Sequence, residues 1–160
     1  MALQDWKKLV AAPAAELLKK RGFRKSGWLF SAERADAVMI VAFQSSQMTD
    51  RNHLRVTVNL SIRLKGLQDP WGDIGGAHWA ERIGHFLAAP RDHWWTCNSD
   101  EEAKRAGEQI VVLLERVVLP EIERLASAEA LRALWASGQS PGLTEKQRMD
   151  FLSMLTDKRS

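Results

Sequence analysis

The side chains best suited to chemistry are four histidines, one cysteine, and a small set of amides, arginines and indoles. His78 and His85 are seven apart, so on one uninterrupted strand they point to opposite faces. His53 and His93 lie in other segments, with no spacing that makes them converge. These histidines read as surface or hydrogen-bonded side chains, and no metal site is expected. Cys97 follows His93 by four residues, a gap that sets no nucleophile–base geometry. A lone cysteine is more often a small buried apolar residue. There is no glycine-rich phosphate loop, nucleophile elbow, His-Glu-x-x-His or Cys-x-x-Cys. No catalytic set and no cofactor is expected, and the sequence leans away from an enzyme.

Residues suited to binding are easier to find. In 53–65, Leu54, Val56, Val58, Leu60, Ile62 and Leu64 alternate with His53, Arg55, Thr57, Asn59, Ser61, Arg63 and Lys65. Strand side chains alternate between faces, so the aliphatics meet a core while the polar set forms a second face. Gln44 sits in the neighbouring predicted strand. Whether it shares a face with Asn59 depends on strand register; if it does, the two amides either orient a ligand or pin register by a cross-strand hydrogen bond. Trp94 and Trp95 are adjacent, so one is expected in the core and the other at a pocket or rim. With Arg82, these residues outline a candidate pocket near Gln44, Asn59, Arg82 and Trp94/Trp95. Lys19, Lys20, Arg21, Arg24 and Lys25 could meet phosphates, but a solvated helix end helped by the dipole is the preferred reading.

The elements that must hold these residues follow from periodicity. Apolar residues at Leu3, Trp6, Val10, Ala14, Leu17 and Leu18 predict a helix over 3–21, interrupted by Pro13 and ended at Gly22. Strands are predicted at Gly27–Ala32, with Trp28 and Phe30 on one face, and at Ala37–Ser45, whose apolar run suggests cover on both sides. With 53–65 they form an antiparallel meander. Ser46–Asn52 and Gly66–Ala77 read as loops. Trp79–Leu87 and Asp92–Cys97 are weaker strand signals. Ser99–Glu102 is a capping box opening a long helix that Pro120 bends. Ser127 and Thr144 look like caps of two shorter helices linked by Gly138–Gly142.

The expected fold is therefore α+β. An antiparallel sheet of four to five strands follows one helix, a long helix and two shorter ones come after it, and the helices pack on one face. At 160 residues the chain fits one domain, 1–160, large enough to bury a core without disulfides. A single cysteine, no apolar leader and no stretch of roughly 18 apolar residues point to the cytoplasm and away from a membrane. A net charge of +3 is too small by itself to argue for nucleic acid.

Five motifs in order carry a family likeness: Leu-Leu-Lys-Lys-Arg-Gly-Phe-Arg-Lys-Ser-Gly (17–27), Val-Ala-Phe-Gln-Ser-Ser (41–46), Val-Thr-Val-Asn-Leu-Ser-Ile (56–62), Arg-Ile-Gly (82–84) and Asp-His-Trp-Trp (92–95). With the long helix ending in Leu-Pro (119–120), they resemble the bacterial domain of unknown function 4304. The resemblance covers about residues 5–125, leaving 126–160 as a helical extension. It implies no activity, cofactor or catalytic residue. The reading is a bacterial cytosolic, non-enzymatic module that binds another protein, of an adaptor or toxin-neutralising type, through its polar sheet face. The alternative is a small-molecule site or enzyme at the pocket named above.

Overall fold

A computed structural model describes residues 3–46, 53–67 and 76–159. Helix α1 (Leu3–Lys20) leads into strands β1 (Arg24–Ser26), β2 (Leu29–Arg34), β3 (Ala37–Ser45) and β4 (Leu54–Leu64). Strand β5 (Trp79–Arg82), a 3₁₀ turn (Ile83–Phe86) and β6 (Trp95–Cys97) follow. The chain then runs through α2 (Asp100–Leu113), a widened π turn (Leu114–Val118), α3 (Leu119–Leu125), α4 (Ala128–Ala136) and α5 (Glu145–Arg159). The fold is α+β, with one antiparallel sheet of six strands ordered β1-β2-β3-β4-β5. Strand β6 shares the β4 edge with β5, pairing Leu54–Val56 while β5 pairs Asn59–Ile62.

The alternation of β4 sets the layers. Leu54, Val56, Val58, Leu60, Ile62 and Leu64 are all at most 3% exposed and meet Trp6, Val10, Ala14 and Leu18 of α1 and Ile110, Leu114, Val118 and Ile122 of the long helix within one core. Burying such aliphatics contributes roughly 1.5–3 kcal/mol each, and this drives the sheet and helices together. Gly107 lets α1 and α2 approach closely. A methyl group there would fall 2.9 Å from the Leu9 carbonyl oxygen and 2.8 Å from that of Val10. The Leu9 carbonyl is the one Pro13, lacking an N–H, cannot bond. Trp6 Nε1 also donates to Asp100 Oδ1 at 2.9 Å, tying the same two helices.

Several sequence expectations change. Pro13 does not divide the first helix, which continues through it to Lys20. The first predicted strand, Gly27–Ala32, corresponds to β2 at Leu29–Arg34; Trp28 lies in the turn before it, and β1 stands ahead of that turn as an additional strand. The apolar run of β3 is not covered on both sides: Val38 is buried on the second face, but Ile40 and Ala42 are half-buried and Gln44 is exposed. Trp79–Leu87 is strand only to Arg82, because Ile83–Phe86 curls into the 3₁₀ turn. Of Asp92–Cys97, only Trp95–Cys97 is strand. The helix irregularity near Pro120 falls a turn earlier, in the π turn, and Pro120 occupies the first turn of α3, where no donor is needed. Ser99, Ser127 and Thr144 each accept the backbone N–H three residues ahead, as caps do. The predicted loops Ser46–Asn52 and Gly66–Ala77 fall largely on 47–52 and 68–75, outside the described residues.

Candidate functional site

The second face of the sheet is built by pairing register. Ala42 opposes Asn59, and Asn59 opposes Arg82, so these three stand in one row. Leu29 extends that row through its pairing with Ala42, and Ser31–Ile40–Ser61–Ala80 form the row beside it. Gln44 opposes Thr57 one rung over, which places it diagonal to Asn59 on the same face. Asn59 Nδ2 donates to Gln44 Oε1 at 2.6 Å. The amide pair thus closes on itself across β3 and β4.

Beyond Asn59 the face becomes cationic and aromatic. Arg82 Nη1 donates to both Asp92 carboxylate oxygens, at 3.0 and 2.9 Å. Its guanidinium carbon stands 5.2 Å from the Trp94 ring centroid. Arg55, from β4, approaches the same ring at 5.8 Å. Trp94 Nε1 donates to Asp92 Oδ2 at 3.3 Å. The indole is therefore held by two arginines and one carboxylate, a cation–π arrangement contributing about 0.5–1 kcal/mol per contact at exposed positions. Hydrogen bonding from Arg82 holds the Asp92 carboxyl below the usual carboxylate range, with a smaller contribution from Trp94.

Two backbone features deliver Asp92 and Trp94 to this position. Buried Thr57 projects from the polar side of β4 and donates its hydroxyl to the His93 carbonyl at 2.8 Å. Gly84 lets the preceding loop close, since a methyl group there would lie 2.1 Å from the Arg91 carbonyl oxygen and 2.8 Å from the His93 nitrogen. The Arg91 N–H donates to the Gly84 carbonyl at 3.1 Å. A groove of about 600 Å³ results, lined by Asn59, Ser61, Arg82, His85, Arg91 and Asp92 among others. Glu81 also lines it; burial pushes its carboxyl up, opposed by His85 at 3.7 Å.

The structure thus brings Gln44, Arg55, Asn59, Arg82 and Trp94 together on one face. Trp95 is not among them: it is 7% exposed, on the core side, and its Nε1 donates to Gln109 of α2 at 2.9 Å. Of the two indoles placed at the candidate pocket, Trp94 alone lies on this face, because neighbours on an extended segment face opposite ways. Arg63 is exposed on the same face but lies opposite Val38, about 14 Å along β4 from Asn59. Thr57 and Ser61, already on the polar side of 53–65, also belong to the site, and Asp92 joins them although it is not among the candidates predicted from sequence. Asp92 carried one signal, its position two residues before Trp94.

The remaining reactive groups lie apart. His78 is buried and its Nδ1 accepts the Leu64 N–H at 2.9 Å, so this histidine serves the fold. Burial, and then Arg91, hold the His93 imidazole below its ordinary value. His53 hydrogen-bonds Asn98. Cys97 is fully buried, and burial pushes its thiol up to about 11. Among the described residues no three His, Cys, Asp or Glu side chains gather as metal ligands, and no helix is long and apolar enough to cross a membrane.

A family model described as a domain of unknown function (DUF4304) matches residues 14–124, which span α1 to α3 and include every residue of the face. No curated protein and no solved structure matches the chain.

Proposed function

The chain belongs to the DUF4304 family, and for it we propose a non-enzymatic bacterial cytosolic binding domain whose second sheet face recognises another protein, as an adaptor or toxin-neutralising module does. The observation that carries this reading is a half-open sheet face on which an apolar strip is framed by arginines and one clamped indole. Leu29 is 41% exposed, and Ile40 and Ala42 are half-buried. Arg55, Arg82 and Trp94 stand at one end of the strip and Arg63 at the other. Arginine and aromatic residues dominate the energetics of protein interfaces, and apolar centres with polar rims are their usual composition. The register also puts Arg24 on this face, so Arg24, Arg55, Arg63 and Arg82 outnumber Glu33 and Asp92. An acidic partner surface complements that balance.

The test is capture of partners from the native host by the tagged full chain, repeated with Trp94→Ala and with Arg55, Asn59 and Arg63 changed together to alanine. Loss of a specific partner in both is expected, with Trp94→Ala weakening its affinity by about 2 kcal/mol, or some thirtyfold. Unchanged capture by folded variants removes this face from consideration.

A second reading rests on the groove beside Asn59 and Arg82, whose volume of about 600 Å³ lies in the range of small-ligand sites. Here Arg82 and Arg91 would meet a carboxylate or phosphate while Ser61 and Asn59 orient the remainder. A thermal-shift screen of polar metabolites separates the two readings, since a tight ligand raises the melting temperature by mass action. Silence across an anionic panel weighs against the small-molecule reading and leaves the protein-binding one standing.

A further inference from the structure

We propose that a second groove, between α1 and the β1–β2 turn, binds a mononucleotide: one planar base joined through its sugar to phosphate. It is independent of the sheet-face site and lies at the opposite edge of the sheet. Its volume is about 590 Å³, and its lining includes Lys7, Lys8, Ala11, Ala15, Lys25 and Trp28. Lys7, Lys8, Ala11 and Ala15 recur at three-to-four spacing, so they share one side of α1. The alanines leave the space and the lysines flank it. Lys25 comes from β1 on the other side.

Charge is the first observation. Three lysines line the groove and, among the described residues, no carboxylate does. The surrounding segment, residues 1–28, holds seven lysines and arginines against Asp5 and Glu16, while the whole chain is only +3. The rest of the chain is therefore net acidic, and the first 28 residues, which supply every lining residue named here, carry the positive charge. Glu16 is also engaged by Lys20 at 3.6 Å, away from the groove. Such asymmetry within one chain is a mark of anion recognition.

The second observation is Trp28. Its ring stands 5.7 Å from Phe43, which supports it from the core side. The Lys7 ammonium stands 5.2 Å from the same ring. An aromatic wall and an ammonium in contact are the two halves of nucleotide recognition: the ring stacks a base and the cation meets its phosphate. The base takes the ring surface that Lys7 covers, as Lys7 turns to the phosphate beside Lys8 and Lys25. A volume of about 590 Å³ is of the size that holds one small ligand, and the occupant proposed is accordingly a free mononucleotide.

The experiment titrates the full chain with adenosine monophosphate at low salt and follows the Trp28 indole N–H by NMR, assigned by comparison with Trp28→Phe. A saturable shift is expected, weakening about tenfold in Lys8→Ala/Lys25→Ala and falling further as salt rises. Both lysines are exposed, so their removal leaves the fold intact. Adenosine and inorganic phosphate are each expected to bind more weakly than the nucleotide that joins them. Three outcomes overturn the proposal: no saturable shift up to about 10 mM, equal binding by the double variant, or an oligodeoxynucleotide that binds about tenfold tighter than the monophosphate with a steep salt dependence. The last would reassign the groove to single-stranded nucleic acid.

Discussion

At the scale of single residues, Asp92 links the charge of the face to its geometry. It accepts from Arg82 and Trp94 at once, and both bonds are stronger to the ionised carboxylate than to the protonated acid. Its folded-state value lies below its ordinary value, so the bonding contributes above the usual carboxylate range and is lost as pH falls through the depressed folded value. Because Asp92 is largely exposed, the effect on global stability is small. The sensitive readout is local: the Trp94 indole resonance should move on acidification, and Asp92→Asn should reproduce that shift at neutral pH. An unmoved Trp94 in Asp92→Asn would separate the carboxylate from the clamp. Cys97 gives the opposite case. Its fully buried thiol, pushed up to about 11, is protonated at neutral pH and shielded from solvent. Aromatic disulfide reagents should therefore label it only after unfolding, and labelling at the rate of a free thiol in the native protein would contradict the burial.

At the scale of elements, two glycines decide how closely segments approach. Gly107 lies against the Leu9 and Val10 carbonyls, so Gly107→Ala forces α1 and α2 apart. Overpacking of that kind costs about 1–3 kcal/mol, which chemical denaturation will measure directly. Gly84 lies against the backbone of Arg91 and His93, so Gly84→Ala displaces the loop that carries Asp92 and Trp94. Its signature is loss of the Trp94–Arg82 contact together with lowered stability, and a variant with native Trp94 signals would show that the loop is placed by other means. Neither glycine role is readable in advance, because it depends on which distant backbone arrives. Strand β4 is the contrary case: its alternation over 54–64 makes both faces legible from sequence alone. The same holds for the caps Ser99, Ser127 and Thr144, whose chemistry is local. Strand β1 escapes detection because its three residues are all exposed and show no alternation. Among site residues, Gln44, Asn59 and Trp94 are legible as types, but their meeting depends on a two-residue diagonal that only pairing register fixes.

At the scale of the whole molecule, the question is what residues 126–159 contribute when the family match stops at 124. They reach the sheet at three places. Asp36 Oδ1, in the β2–β3 turn, accepts the Ala128 N–H at 3.1 Å and so helps to start α4. The Pro141 carbonyl accepts the Ala80 N–H at 3.0 Å, covering part of the outer edge of β5 that would otherwise offer unpaired strand groups. Phe151 of α5 stacks on Trp135 of α4 with centroids 5.8 Å apart and meets the His78 ring at 4.8 Å. Trp135 is fully buried in the same core cluster as Leu60 and Ile122. Deleting a side chain of that size costs about 3–5 kcal/mol, against a total stability of about 5–15 kcal/mol for a domain of ordinary kind. Trp135→Ala should thus lower the denaturation midpoint substantially while the chain still unfolds in one transition by near-ultraviolet dichroism and by the fluorescence of its remaining tryptophans. Ending the chain at Ala126 should do more, since it bares β5, the strand that carries Arg82 and Ala80 of the second sheet face. Reduced stability with a disordered Trp94 signal is the expected result. A truncated chain with the native melting temperature and an intact Arg82–Trp94 contact would mean that the C-terminal helices pack on a core already complete without them.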